Sequence, residues 1–151
     1  MHNYSLKVEE GMACASGKNI RASYKWCIQI AKVIRGKKVE RAKVQLNEAI
    51  NLQKAIPITR FHRDVGHKTK IGPGRYAVNA CIAVLKILEN AETNAKFKGL
   101  NATSLIVYHA SAKQGSGSWH YGRKRRRLVK QCHFEIVLKE EKAENKKVEK
   151  K

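Results

Sequence analysis

Apolar residues recur at helical spacing in two adjacent segments of the first half of the chain. The first, residues 23–35, places side chains such as Cys27 and Ile34 on one face, and Gly36 is suited to end it. The second, residues 39–50, follows after a very short turn and repeats the spacing. Because residues three and four positions apart share a face of a helix, both segments are predicted to form amphipathic helices.

The second half contains the longest helical pattern and the clearest strand signals. Residues 75–97 carry an apolar stripe, and Gly99 is placed to end that helix. Residues 105–108 and 132–138 predict strands, the second with alternating side chains, and a third strand is expected within residues 12–22. These elements predict an α+β fold in which three helices pack on one face of a small three-stranded antiparallel sheet.

Two segments extend beyond these elements. Residues 54–75 contain both prolines of the chain, three glycines and one acidic residue among several basic ones, and are predicted to form a long functional loop. Residues 108–115 and 122–131 continue the two clearest strands, so they predict the arms of a long protruding β-hairpin. At 3.3 Å per residue, the arms would extend about 25–30 Å beyond the body.

The chain of 151 residues suits one compact domain, which we place at residues 1–141 with the hairpin at about 108–131. Residues 142–151 form a mixed-charge tail that is expected to be solvated.

Charge changes this picture most. The chain has 32 Lys and Arg against 12 Asp and Glu, a formal net charge of +20. Because a compact protein repels itself at such a charge, a polyanionic partner is predicted, with nucleic acid favoured over an anionic membrane surface. No apolar run approaches the roughly 20 residues of a spanning helix. The first ten residues lack a secretory signal, and four widely spaced cysteines indicate reduced thiols in a cytosolic protein.

The predicted hairpin concentrates this charge. No acidic residue occurs from Thr93 to Phe134, whereas residues 123–127 read RKRRR. Like charges facing each other across a ribbon destabilise it, so phosphates from another molecule are expected to supply the counter-charge. The alternatives are a solvated face or a nuclear-localisation signal. Neighbouring aromatic residues that can stack on bases, such as Trp119, favour RNA.

Other patterns point to different chemistry and are weaker. His62, Asp64 and His67 lie close together in sequence, as a metal-dependent nuclease would need, but no second cluster completes a ligand set. The cysteines lack C-x-x-C spacing, so a zinc site is not expected. Residues 115–118, GSGS, are predicted to form a flexible turn. No nucleophile, base and orienting group occur together, so neither catalytic residues nor cofactors are predicted.

Five segments together resemble a known family. They are IRGKKVERA at 34–42, RFHRDVGHKTKIGPGRY at 60–76, LENAETNAKFKGLN at 88–101, GR at 122–123 and CHFEIVLKE at 132–140. In their order and spacing they resemble the universal large-subunit ribosomal protein family numbered twenty-two in bacteria and seventeen in eukaryotes. The second of these segments resembles the archaeal and eukaryotic branch.

The resemblance, over roughly residues 4–141, implies the same three-helix, three-stranded fold with a long hairpin. It also implies a body that touches several domains of large-subunit rRNA near the tunnel exit, with the hairpin tip, near 116–121, lining the peptide exit tunnel. Family hairpins usually carry several more residues before the Gly-Arg pair. This tip is therefore expected either to stop short of the usual constriction or to present a bulkier, more neutral wall through Trp119.

Charge and resemblance together predict a non-catalytic constituent of cytoplasmic ribosomes that binds large-subunit rRNA, stabilises its fold and helps line the exit tunnel. The expected partners are rRNA, neighbouring ribosomal proteins and the nascent peptide; neither a homo-oligomer nor membrane insertion is expected. The rival hypotheses are a free-standing RNA- or DNA-binding module and the nuclease. The predicted rRNA-binding residues are Arg21, Lys25, Lys32, Arg60, His67, Lys68, Lys70, Arg75, Lys113, Arg123, Lys124, Arg125, Arg126, Arg127 and Lys130. The predicted tunnel tip consists of Ser116, Gly117, Ser118, Trp119, His120 and Tyr121.

Overall fold

A computed structural model describes residues 4–141 of the chain. The tail predicted at residues 142–151 lies outside the described residues. Within the described range the α-helices are α1 (Tyr24–Ile34), α2 (Val39–Ile50) and α3 (Val78–Phe97). The strands are β1 (Met12–Ile20), β2 (Ile56–Pro57), β3 (His67–Lys68), β4 (Gly72–Arg75), β5 (Leu105–Gln114) and β6 (Cys132–Glu140).

The predicted α+β fold is confirmed. Strands β1, β6 and β5 form an antiparallel sheet in that order, with β6 in the centre. Helices α1 and α3 pack on one face of the sheet, and α2 packs mainly against α3. Inward-facing side chains of β6, including Phe134 and Ile136, join buried residues such as Ile30 of α1 and Leu88 of α3 in a single core. The apolar residues that alternate along β6 thus pack against those at helical spacing on α1 and α3 in one layer.

The helix predicted at residues 75–97 begins later than expected. It starts at Val78, because residues 72–75 pair as β4 with both β2 and β3. The segment predicted as a long loop therefore contains a second, small sheet of order β2-β4-β3. Buried Ile56 and Ile58 attach this sheet to the body, so the segment is more ordered than its composition indicated.

The outer face of the main sheet is partly covered. Glu135 alternates along β6 with the core residues Phe134 and Ile136 and lies on the outer face, but it is only 9% exposed. The N-terminal segment lies over it: the Ser5 amide donates to Glu135 Oε2 at 3.1 Å, and the Ser5 hydroxyl donates to Oε1. Lys113 Nζ is 3.9 Å from the same carboxylate. A cation predicted to bind RNA is thus partly engaged within the protein.

The hairpin differs from its prediction in two ways. Residues 108–114 do not protrude, because β6 pairs with β5 as far as Cys132 while β1 flanks its other side to the same residue. Only residues 115–131 extend past the sheet. The first arm of this shorter hairpin, residues 115–121, can span at most roughly 23 Å. The backbones of the two arms pair between Gly115 and Gln131, between Ser118 and Val129, and between His120 and Arg127.

The chain reversal also lies later than expected. It follows the last backbone pair, at a short 3-10 turn of residues 122–124. Gly122 and Arg126 have positive φ angles of 63° and 69°, which allow the backbone to fold back on either side of this turn. The basic cluster therefore forms the end of the hairpin, and the predicted tip, residues 116–121, lies in its first arm ahead of the turn.

Candidate nucleic-acid interface

The end of the hairpin carries a dense group of unneutralised cations. Side chains of residues 123–127 and of Lys130 are exposed. Among residues 4–141, none of them forms an ion pair with a carboxylate. The Arg125 Nε donates to the Gly122 carbonyl at 3.3 Å, which holds that side chain against the turn. This surface attracts polyanions, and its arginines can fork onto phosphate oxygens.

The first arm of the hairpin supplies aromatic and glycine positions. Trp119 is 66% exposed and Tyr121 is 93% exposed beside the cationic turn. Gly117 is packed rather than flexible, since a Cβ there would lie 2.7 Å from Leu128 Cδ2. At the base of the arm, Asn19 Oδ1 accepts hydrogen bonds from the Ser116 amide at 3.3 Å and its hydroxyl at 3.1 Å. The GSGS segment is thus an ordered, extended part of the hairpin's first arm, which corrects the predicted flexible turn.

An unpredicted residue, Phe61, brings two predicted cations together. Lys25 Nζ lies 5.5 Å from its ring centroid and the Arg60 guanidinium carbon lies 4.9 Å from it. Tyr24 meets the same ring edge-on at 6.0 Å. Cations held over an aromatic face stay accessible to phosphate while their position is restricted. The only sequence signal for Phe61 was an aromatic residue between basic ones.

The link between this segment and α1 is a buried glutamine. Gln29 is 2% exposed, and its amide nitrogen donates to the Arg60 carbonyl at 2.8 Å. Its oxygen accepts from the Thr59 amide and hydroxyl, both at 3.1 Å. Lys32, another predicted contact, donates to the same Thr59 hydroxyl at 3.1 Å. These bonds fix the start of the basic segment relative to α1.

The remaining cations of the segment lie on the small sheet. His67 and Lys68 form exposed β3, and Lys68 Nζ lies 5.6 Å from the Tyr76 ring centroid. Lys70 occupies the following turn with a φ of 68°, and Arg75 is exposed at the end of β4. The small sheet therefore presents these side chains on a supported backbone rather than on a free loop.

The histidine cluster proposed for a nuclease does not assemble a metal site. His62 stacks on Trp26, with ring centroids 5.8 Å apart and planes at 27°. His67 instead lies in β3, paired with Pro73. Within residues 4–141, no group of three or more His, Cys, Asp or Glu side chains is arranged to hold a metal ion.

Several titratable groups in the body are perturbed by burial. Burial lowers the pKa of Lys37, and the nearby Arg41 and Lys54 lower it further. Burial raises the pKa of Cys81 to about 11. Cys27, Cys81 and Cys132 are free and buried, and Cys14 is partly buried. No helix in the described part of the chain is long and apolar enough to cross a membrane.

Three of the predicted cations come together from distant parts of the sequence. Arg21, Arg127 and Lys130 line one cleft between the start of α1, the start of α3 and the returning arm of the hairpin. The sequence placed Arg21 in a separate segment from Arg127 and Lys130, which share the second arm of the hairpin. Their proximity depends on the returning arm, since residues 127–130 lie along the body.

Comparison with known proteins identifies the family. A family model described as ribosomal protein L22p/L17e matches residues 15–139. The large ribosomal subunit protein uL22 of Thermofilum pendens is 36% identical over 144 residues, which cover 91% of this chain and 95% of that protein. The uL22 of Thermoplasma acidophilum is 40% identical over 115 residues, 76% of each chain. That of Archaeoglobus fulgidus is 38% identical over 118 residues, 75% of this chain and 76% of its own.

These matches cover the body and the hairpin together. The family model includes the segments that carried the resemblance in the sequence, except the last residue of the fifth, Glu140, and these similar proteins are archaeal, which confirms the predicted branch. The chain belongs to the ribosomal protein L22p/L17e family, in its archaeal branch.

Proposed function

We propose that this chain is a structural constituent of the large ribosomal subunit in the cytoplasm, where it binds large-subunit rRNA. The observation that carries the proposal is the hairpin end, whose exposed cations have no carboxylate partner among residues 4–141. Similar proteins that bear the name large ribosomal subunit protein support the assembly. The protein is not an enzyme; its role is to neutralise and position RNA.

Binding is proposed to use two surfaces of a domain that spans residues 1–141. One is the hairpin end at residues 122–127, together with Lys130. The other is the body surface around Phe61 and the small sheet, where Lys25, Arg60 and Lys68 are held over aromatic rings. Because phosphate contacts displace counterions, affinity for isolated rRNA should fall steeply with salt. Neighbouring ribosomal proteins complete the set of partners, and no homo-oligomer is needed.

The hairpin is proposed to contribute to the wall of the nascent-peptide exit tunnel. Two observations support a role at a confined RNA wall: its arms are ordered by backbone pairing, and exposed Trp119 and Tyr121 lie next to its arginine-rich end. In this hairpin the chain reversal carries the cations. Trp119 lies in the first arm, before the turn, where it pairs with Leu128. The surface nearest the peptide would then be basic rather than neutral.

Sucrose-gradient sedimentation of lysate from the source cells, at low and then high salt, tests this function. The chain should travel with large subunits and remain there in high salt, because burial in assembled rRNA prevents its dissociation. Sedimentation of the chain alone, or its release from subunits by moderate salt, would contradict the proposal. Those results would favour a free-standing nucleic-acid-binding module.

A further inference from the structure

The cleft beside the returning arm of the hairpin is large enough for a small ligand. Its volume is about 560 Å³, within the range of pockets that hold small molecules. The walls come from residues 21–23 at the start of α1, residues 76–80 at the start of α3, and residues 127–130 of the hairpin. Trp26 and His120 complete the lining.

The lining is cationic. Arg21, Arg127 and Lys130 contribute three positive charges, and no acidic residue lines the cleft. None of the three forms an ion pair among residues 4–141. Concave surfaces lined by one sign of charge concentrate the field, so this cleft favours an anion over a neutral ligand.

The backbone at the cleft adds to this preference. Both α1 and α3 begin at its wall, and neither has an acidic residue in its first turn. The expected cap of α1, Ser23, makes no capping hydrogen bond with its side chain, and no side chain caps α3. The first residues of α3, Val78, Asn79 and Ala80, line the cleft, so the amides at this helix start can supplement the three cations as donors for phosphate oxygens.

Aromatic surface lies next to the cationic part. Trp26 and Tyr76 both line the cleft and are only partly buried. The Trp26 ring is already stacked by His62, which holds it in place. Base stacking on aromatic side chains is the usual way in which proteins bind unpaired nucleotides, whereas bases in an A-form duplex are not accessible to such a cleft.

We propose that this cleft binds one unpaired nucleotide of a single-stranded RNA segment. Its phosphate would lie against Arg21, Arg127 and the helix amides, and its base against Trp26 or Tyr76. This inference rests on the proposed rRNA binding. It adds that the cleft between the hairpin and the body binds one unpaired nucleotide of that RNA. The hairpin end would bind RNA independently, through phosphates alone.

Tryptophan fluorescence of the full chain can test the cleft. The chain has two tryptophans, so Trp119→Phe at the exposed hairpin position leaves Trp26 as the only indole. A three-nucleotide single-stranded RNA, too short to span both the cleft and the hairpin end, is titrated at constant low salt. Saturable quenching of Trp26 is expected. Inorganic phosphate and adenosine, titrated separately, should each bind at least about tenfold more weakly than the RNA.

Two matched variants locate the site. Arg127→Gln and Arg123→Gln each remove one arginine from the same cluster, but only Arg127 lines the cleft. In the Trp119→Phe background, Arg127→Gln should weaken trinucleotide binding about tenfold or more, as expected for a lost charged hydrogen bond. Arg123→Gln should change it less than about twofold.

The outcomes separate this inference from the proposed function. Equal effects of the two arginine variants, absent quenching, or phosphate binding as tight as the trinucleotide would overturn the cleft proposal. If the chain still sediments with large subunits, its rRNA binding stands without the cleft. Failure to sediment with subunits, combined with quenching that only Arg127→Gln abolishes, would retain the nucleotide site and reject the ribosomal role.

Discussion

Gln29 shows how a single buried polar side chain supports the RNA-facing surface. It lies on the same helix as the apolar core positions, yet its amide satisfies backbone groups of Thr59 and Arg60. Replacing it removes partners from polar groups that are partly shielded from water, which costs more than a surface hydrogen bond. The position of Phe61 and its two cations therefore depends on one amide in α1.

We predict that Gln29→Leu lowers the free energy of unfolding by about 1–3 kcal/mol. Urea unfolding followed by circular dichroism measures this change, and amide hydrogen exchange should accelerate first at Thr59. The control is Gln53→Leu, an exposed glutamine just beyond α2, which should change stability by less than about 0.5 kcal/mol. Similar losses in both variants would show that the Gln29 bonds contribute little.

At the scale of elements, the hairpin is held by packing at its base while its end is left unneutralised. Gly117 packs against Leu128, and Asn19 anchors Ser116, so the arm does not need RNA to define its first residues. The cations at the hairpin end, residues 122–127, pair with no carboxylate in the described part of the chain. The structured base and the unneutralised end suit a hairpin that approaches RNA with its position already restricted.

The hairpin end should govern the salt dependence of rRNA binding. The slope of log Kobs against log salt is negative, and each lost phosphate contact reduces its magnitude by about 0.7–0.9. Replacing Arg123, Arg125 and Arg126 together by Gln should therefore reduce the slope by about 2–3 on a large-subunit rRNA fragment, measured by filter binding. All three lie outside the cleft.

A charge-matched variant provides the comparison. Lys54, Lys96 and Lys139 are ion-paired with Glu48, Glu92 and Glu9, respectively. Replacing these three lysines by Gln removes the same formal charge from the protein. For this variant, the slope of log Kobs against log salt should stay within about one unit of the slope for the unmodified chain. Equal slopes for the two triple variants would mean that net charge, rather than the hairpin, determines binding.

At the scale of the whole molecule, positive charge is unevenly neutralised. Ion pairs occur in the body, such as those of Glu92 on α3 with Lys43 on α2 and with Lys96 at 3.2 Å. At the start of α3, the cleft instead contains the unpaired cations of Arg21, Arg127 and Lys130. Because α3 has 20 residues, about 30 Å separates its two ends. Carboxylates of the protein therefore neutralise cations near the end of α3, whereas the cations of the cleft at its start depend on an external anion.

The paired region predicts a specific pH dependence of stability. The hydrogen bond from Lys43 lowers the pKa of Glu92, against an opposing effect of burial, and Lys96 lowers it further. A carboxyl whose folded pKa is lowered stabilises the fold above its unfolded pKa of about 4.3, and this contribution disappears as pH falls through the lowered folded value. Glu92→Gln should thus cost about 1 kcal/mol at pH 6 and almost nothing at pH 2.

Urea unfolding of both proteins between pH 2 and pH 6 measures this difference. Glu89→Gln, an exposed carboxyl three residues earlier on α3, serves as the control and should remain within about 0.5 kcal/mol of the unmodified chain throughout. A Glu92→Gln difference that stays constant with pH would show that packing, not the ion pairs, accounts for it.

The sequence by itself determined the three helices, the existence of the main strands and the need for a polyanion. Helical spacing and strand alternation are local properties, so α1 and α2 were predicted almost to the residue. Net charge is a sum over the chain and needs no structure. The positions of individual rRNA contacts stay predictions, because charge identifies candidate side chains without showing which of them meet RNA.

Only the tertiary structure decided how distant segments meet. Pairing of β5 with β6 placed residues 108–114 in the sheet, and the positive φ angles of Gly122 and Arg126 accompany a reversal within the arginine cluster. The small sheet joins residues up to 19 positions apart, the Gln29 anchor joins residues 30 apart, and the cleft brings Arg21 to Lys130, 109 positions away. Such contacts arise because burial and hydrogen bonding are satisfied across the whole fold, and no local period in the sequence encodes them.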